Sequence, residues 1–147
     1  MVQGKLLGST GRVIFLRLDE GARLPQAIDE VLEAQNIGLA MIQGIGGLRW
    51  ARVATFSPSE NKYYSHDVEA EPGHILELLS LSGNSVFGPD NTYYTHLHVT
   101  LSKDHNTLYA GHLIEAEVSP LAEIFIIEVI APIDEARRLL SNRWKSQ

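Results

Sequence analysis

The stretch "YYTHLHVTLSKDHNTLYAGHL", residues 93–113, alternates apolar and polar residues on both sides of a short polar break. Alternation with a period of two marks half-buried strands, so the segment reads as two strands joined by a hairpin. His96 and His98 share one face with Tyr94 and Thr100, while Leu97, Val99 and Leu101 take the other. "DHN" at 104–106 suits a three-residue turn, with Asn106 expected in the left-handed conformation near its end. That turn pairs Lys103 with Thr107, and the same register sets His98 opposite His112. Three imidazoles then project from one patch. A slip of one residue would send His112 to the other face.

Imidazole is a common ligand of zinc and related divalent metals, and three of them leave a position open for water or substrate. A metal held this way polarises a carbonyl or lowers the pKa of bound water. The expectation is therefore a divalent metal, zinc by preference, on His96, His98 and His112. Glu77, or Glu123 from a later strand, is a candidate fourth ligand, catalytic base or orienting partner of an imidazole. The competing reading is three hydrogen-bonded sheet histidines with no ligand at all. His66, His74 and His105 share no such register and stay outside the site.

Outward from the hairpin, "GRVIFLRLDEG" (residues 11–21) reads as a strand with Val13, Phe15 and Arg17 on one face and Ile14, Leu16 and Leu18 on the other. "LPQAIDEVLEAQNIG" (24–38) reads as a long helix, with Pro25 in its first turn and Asn36 and Gly38 as stops. "LAMIQGIGGLRWARVATFS" (39–57) reads as a strand, a glycine-rich bend and a second strand from about Arg49. "KYYSHDVEA" and "HILELLSLSGN" add strands, the latter ending at Gly83–Asn84, and "NSVFGPDNT" reads as a loop. "LAEIFIIEVIA" (121–131) reads as a central strand, after which Asp134 caps a C-terminal helix. The fold class is α+β, one domain over residues 1–147: a mostly antiparallel sheet of about seven strands with one long helix and one terminal helix.

Composition removes several classes of function. A formal net charge of −6 lacks the basic balance of a general nucleic-acid binder, whose affinity comes largely from phosphate neutralisation. The densest cationic clusters, "ARR" at 136–138 and "RWK" at 143–145, suit the cationic end of a terminal helix. With no cysteine, thiolate metal sites, disulfides and cysteine nucleophiles are impossible. "GIGG" at 44–47 has neither the lysine nor the following helix of a phosphate loop, and no GxSxG nucleophile elbow occurs. Tyr63, Tyr64, Tyr93, Tyr94 and the tryptophans read as packing or interface residues. The N-terminus has no signal-peptide pattern and no apolar run reaches the length of a membrane span, so a cytoplasmic protein is expected. The run "EIFIIEVIA" and the sheet face away from the helices need cover, which a closed cyclic assembly would supply.

Taken in order, "LRLDEG" (16–21), "GIGG" (44–47), "ILELLSLSGN" (75–84), "HLHVTL" (96–101), "AGHL" (110–113) and "AEIFIIE" (122–128) resemble the plant and prokaryote conserved, or PPC, domain, from about residue 11 to about 130. The resemblance implies an α+β fold with an antiparallel sheet, a homotrimer with sites near subunit interfaces, and a metal on the histidines that match here as His96, His98 and His112. Ala110 stands where the family often has the first glycine of Gly-Gly-His, and the histidine is kept. Plant relatives join the domain to an AT-hook, a segment this sequence lacks. The two readings that follow are a metal protein acting on a small polar ligand, whether or not it is an enzyme, and a non-enzymatic DNA-binding or transcription-associated interaction module.

Overall fold

A computed structural model describes residues 1–2 and 4–145 of the chain, with side chains to residue 143. Along it run β1 (Ser9–Asp19), β2 (Arg23–Leu24), α1 (Gln26–Ala34), β3 (Leu39–Ser57), β4 (Lys62–Glu69), β5 (Leu76–Phe87), β6 (Tyr93–Ser102), β7 (Leu108–Ile130), α2 (Ile133–Leu139) and α3 (Asn142–Lys145). All strand pairings are antiparallel, in the order β1-β7-β6-β5-β3-β4, and a further β7–β3 pairing joins the sheet back on itself. Strands β3, β5, β6 and β7 thereby form a closed ring. Closure removes the exposed edges of those four strands, which would otherwise invite pairing with other chains.

The α+β class and the seven-stranded antiparallel sheet hold. The long helix does not: α1 has nine residues, α2 seven and α3 four. Leu24, expected at the start of the helix, instead pairs with Ala116 in β2. At the other end Asn36 takes a left-handed φ of 52°, and the Ile37 amide donates to the Leu32 carbonyl at 2.9 Å, closing the last turn. Pro25 sits at the N-cap, and Ile28 and Leu32 are the buried residues of α1. At the C-terminus Pro132, not Asp134, is the cap residue of α2. Asp134 and Glu135 lie in its first turn and Arg137 and Arg138 in its last, each sign at the favourable end of the helix dipole.

Two loops expected from the sequence are strand. Residues 39–57 form one strand, β3, in which the glycines produce a bulge: its register on β5 slips between Gly44 and Gly46. A Cβ on Gly46 would lie 2.6 Å from the Ala122 Cα, so the glycine lets β3 and β7 approach closely. β5 likewise runs through Gly83 and Asn84, which pair with Leu97 and His96. Here glycine serves close packing against the backbone of β6, where the sequence suggested a turn. β7 joins the histidine segment and the central apolar run into a single strand of 23 residues.

The core fills the inner side of this ring. Leu97, Val99 and Leu101 of β6 lie there with Leu78, Leu81, Ile124 and Ile126, and α1 closes over them with Ile28 and Leu32. Each such side chain contributes about 1.5–3 kcal/mol through burial. The period of two then leaves the intervening residues of β6 on the outer face, and those include His96 and His98.

Candidate metal centre

The hairpin that carries the histidines is built from its turn. The Lys103 amide donates to the Thr107 carbonyl at 3.0 Å, the contact expected from the sequence. Asn106, however, is not left-handed. Asp104 does the turning: its carboxylate accepts from the Asn106 and Thr107 amides, each at 2.8 Å, and from the Thr107 hydroxyl at 3.0 Å. Such an Asx-type turn needs no residue at positive φ. These hydrogen bonds, first that from the Asn106 amide, hold the Asp104 carboxyl below its ordinary range.

From that turn the register runs Ser102–Leu108, Leu101–Tyr109, Thr100–Ala110, Val99–Gly111 and His98–His112. Gly111 has a φ of 157°, and a Cβ there would meet the Ala54 carbonyl oxygen at 2.6 Å. The second glycine position of the motif is therefore required by the approach of β3, whereas Ala110 is accommodated.

The three imidazoles converge. Their rings stand 4.9 to 5.9 Å apart, centre to centre, and all are edge-on to one another. One nitrogen from each lies within 4.8 Å of the other two. The His96 and His98 Nε2 atoms are 3.1 Å apart. His98 is exposed while His96 and His112 are half-buried, so the cluster opens to solvent on one side.

Three features of this cluster fit a divalent cation. Burial, and then the charges of His112, Arg143 and His98, push the His96 imidazole down to about 4. Burial, then His98, also lowers His112. Neutral imidazoles are the ligating form. In addition, the His112 Nδ1 is buried without a hydrogen-bond partner among the described residues. A bare buried polar nitrogen costs about 1–3 kcal/mol unless something engages it.

Glu77 and Glu123 do not join this group. Glu77 stands opposite Ser102, four residues along β6 from His98, or about 13 Å at strand rise. Glu123 pairs with Ile45 and Arg17 and lines an open groove that also includes Phe15, Leu79, Ser82 and Phe125. Ser82 is opposite His98, so the groove approaches the histidines from the β5 side. His66 stacks on Tyr109 at 5.5 Å, and His105 is exposed in the turn.

Three further residues neighbour the cluster, two of which, Tyr63 and Arg143, the sequence reads only as a packing or interface residue and a helix-end cation. Asn84 lies opposite His96. The Tyr63 ring sits 5.7 Å from that of His112. Arg143, from α3, donates through Nη1 to the Tyr94 carbonyl at 3.0 Å and through Nη2 to the Asn84 Oδ1. Of the "RWK" cluster, only the Arg143 side chain falls within the described residues. No spacing rule links Arg143 to the histidines, because the contact depends on how the C-terminal segment packs back over β5 and β6.

A closed antiparallel sheet with a solvent-facing three-histidine cluster on its outer side defines the class of protein. The chain belongs to the Plants and Prokaryotes Conserved (PCC) domain family, whose profile matches residues 6–130. Among solved structures it resembles a metal-containing protein from Archaeoglobus fulgidus, with 33% identity, 89% of each chain covered and a TM-score of 0.80. A plant- and prokaryote-conserved protein from Pyrococcus horikoshii is 32% identical over 88% of this chain and 85% of its own, with a TM-score of 0.76. A candidate DNA-binding protein from Bacteroides thetaiotaomicron shares the fold at 18% identity, covering 86% of this chain and 98% of its own, with a TM-score of 0.72. No curated protein sequence matches the chain.

Proposed function

We propose that the protein binds one divalent metal, zinc by preference, through His96, His98 and His112, and presents it to a small polar ligand. The observation that carries this reading is the convergence of one imidazole nitrogen from each of the three histidines within 4.8 Å of one another. The Archaeoglobus relative, described as metal-containing, agrees with it. A bound metal would supply Lewis acidity, either to a carbonyl or to a water molecule. The protein's own residues would hold three sides of the ion and leave the outer side open. Glu123 is the better placed of the two carboxylates for proton transfer, because its groove reaches Ser82 beside His98.

The assembly belongs to the same proposal. Val13, Phe15, Met41, Ile45, Leu79 and Phe125 are each 42 to 60% exposed on the outer face. The Phe15 and Phe125 rings pack at 5.1 Å and leave an apolar surface uncovered. Further copies of the chain would cover it, and family resemblance makes the number three. The groove beside the histidines would then lie at a subunit boundary.

The test is metal content by mass spectrometry on untagged protein and on a His98→Ala variant. About one metal per chain, lost in the variant, is the expected result; a metal-free protein that refuses zinc refutes the reading. The second reading, a DNA-binding or transcription-associated module, draws on the description of fold relatives such as the Bacteroides protein. A gel-shift titration with AT-rich duplex at several salt concentrations decides it. Salt-sensitive binding at physiological ionic strength would support it.

A further inference from the structure

We infer that Arg143 is an anion-recognition residue, and that the ligand class of the three-histidine site is a small carboxylate. The inference rests on the metal reading above and adds to it which ligand the open side accepts.

The argument begins with where the guanidinium is held. Two of its five N–H groups are spent on the Tyr94 carbonyl and the Asn84 side chain. Both partners flank His96: Asn84 faces it across the β5–β6 pair, and Tyr94 is the next residue on the same face of β6. Arg143 therefore stands at the rim of the cluster in a fixed orientation.

That placement is costly without a ligand. Arg143 is partly buried, and desolvation acts against its charge. Arg12, Arg17, Arg23, Arg49, Arg52 and Arg137 each have a carboxylate within 4.0 Å, and Arg138, which has no such partner among the described residues, is exposed to solvent. Among the described residues Arg143 has no carboxylate partner. A partly buried guanidinium with no anionic partner, facing a cluster built for a cation, leaves two positive centres beside one opening. Only an anion is stabilised by both.

Chemistry selects the anion. A planar guanidinium with N–H groups to spare matches the two coplanar oxygens of a carboxylate. The surrounding wall is modest in polarity, with the Tyr63 ring on the His112 side and the apolar groove beyond Ser82. A monocarboxylate with a further oxygen for the metal fits both centres, and Arg143 would fix which end points inward.

The experiment uses the full-length protein loaded with Co2+, whose visible absorbance reports changes in coordination. Glycolate is the probe, compared between wild type and the Arg143→Gln and Arg143→Lys variants. Circular dichroism and cobalt stoichiometry serve as controls for fold and metal. The expected result is glycolate binding to wild type that weakens about 10- to 100-fold in Arg143→Gln, the size of a lost charge-assisted hydrogen bond, with cobalt still bound. Arg143→Lys should recover part of the affinity, because charge remains while the fork is lost. Equal glycolate affinity in all three proteins overturns the inference and leaves the metal reading standing. Inorganic phosphate that binds more tightly than glycolate and depends more on Arg143 overturns the carboxylate assignment. A wild-type protein that takes up no cobalt removes the metal reading and this inference with it.

Discussion

His96 carries the sharpest consequence at the scale of single residues. Its folded-state imidazole titrates at about 4, against 6.5 for the free side chain, chiefly because it is buried. In the unfolded chain the ring takes up a proton as pH falls through 6.5, while in the folded chain it resists until about 4. The unfolded state thus binds more protons in this window, and acid favours unfolding. Stability from this group is complete above pH 6.5 and is lost progressively down to about pH 4. Thermal melts of metal-free protein across that range should show a falling midpoint, and His96→Gln should flatten the slope. A midpoint independent of pH there, or an unchanged slope in the variant, would contradict the burial of His96. Zinc should steepen the dependence in wild type, since protons and metal compete for the same nitrogens.

At the scale of elements, the contact between β7 and β3 decides whether the third histidine arrives. Gly111 lies against the Ala54 carbonyl with no room for a methyl group. Gly111→Ala is expected to cost about 1–3 kcal/mol, the usual penalty for overpacking or a strained backbone. It should also weaken metal binding, because the displaced backbone carries His112. Chemical denaturation combined with zinc titration checks both effects. Unchanged stability and affinity would show that β3 yields to the extra methyl group. The hairpin on the other side of the site has a different dependence. Its register was legible from the polar break and from the alternation around it, but the device that turns it was not. Asp104 and Asn106 are both turn formers, and only the three-dimensional path shows that the Asp104 carboxylate gathers the amides.

At the scale of the whole molecule the question is what covers the outer face. Exposed Phe15, Ile45, Leu79 and Phe125 lie around a groove that leads toward His98. Phe125→Glu would place a charge in that surface, where a subunit contact tolerates it poorly. Light scattering coupled to size exclusion should report a trimer for wild type and a smaller species for the variant. The variant should remain folded, because Phe125 is about half exposed in the single chain. A wild-type monomer would refute the assembly. Should metal affinity also fall in the dissociated variant, the subunit boundary contributes to the site.

Local pattern specified a good deal here: the period-two strands, the shared face of His96 and His98, and the register that brings in His112. These follow from neighbours in the chain, where a strand's alternation and a turn's length leave little freedom. Long-range packing decided the rest. Whether Gly83 ends a strand or presses against β6, whether the helix that begins near Leu24 is long or short, and whether the ring closes through β3 and β7 depend on partners far along the chain. Arg143 is the clearest case, because its approach to His96 exists only once the C-terminal segment has folded back over the sheet. The candidate metal ligands were therefore readable from one hairpin, while the residue that would choose their ligand was not.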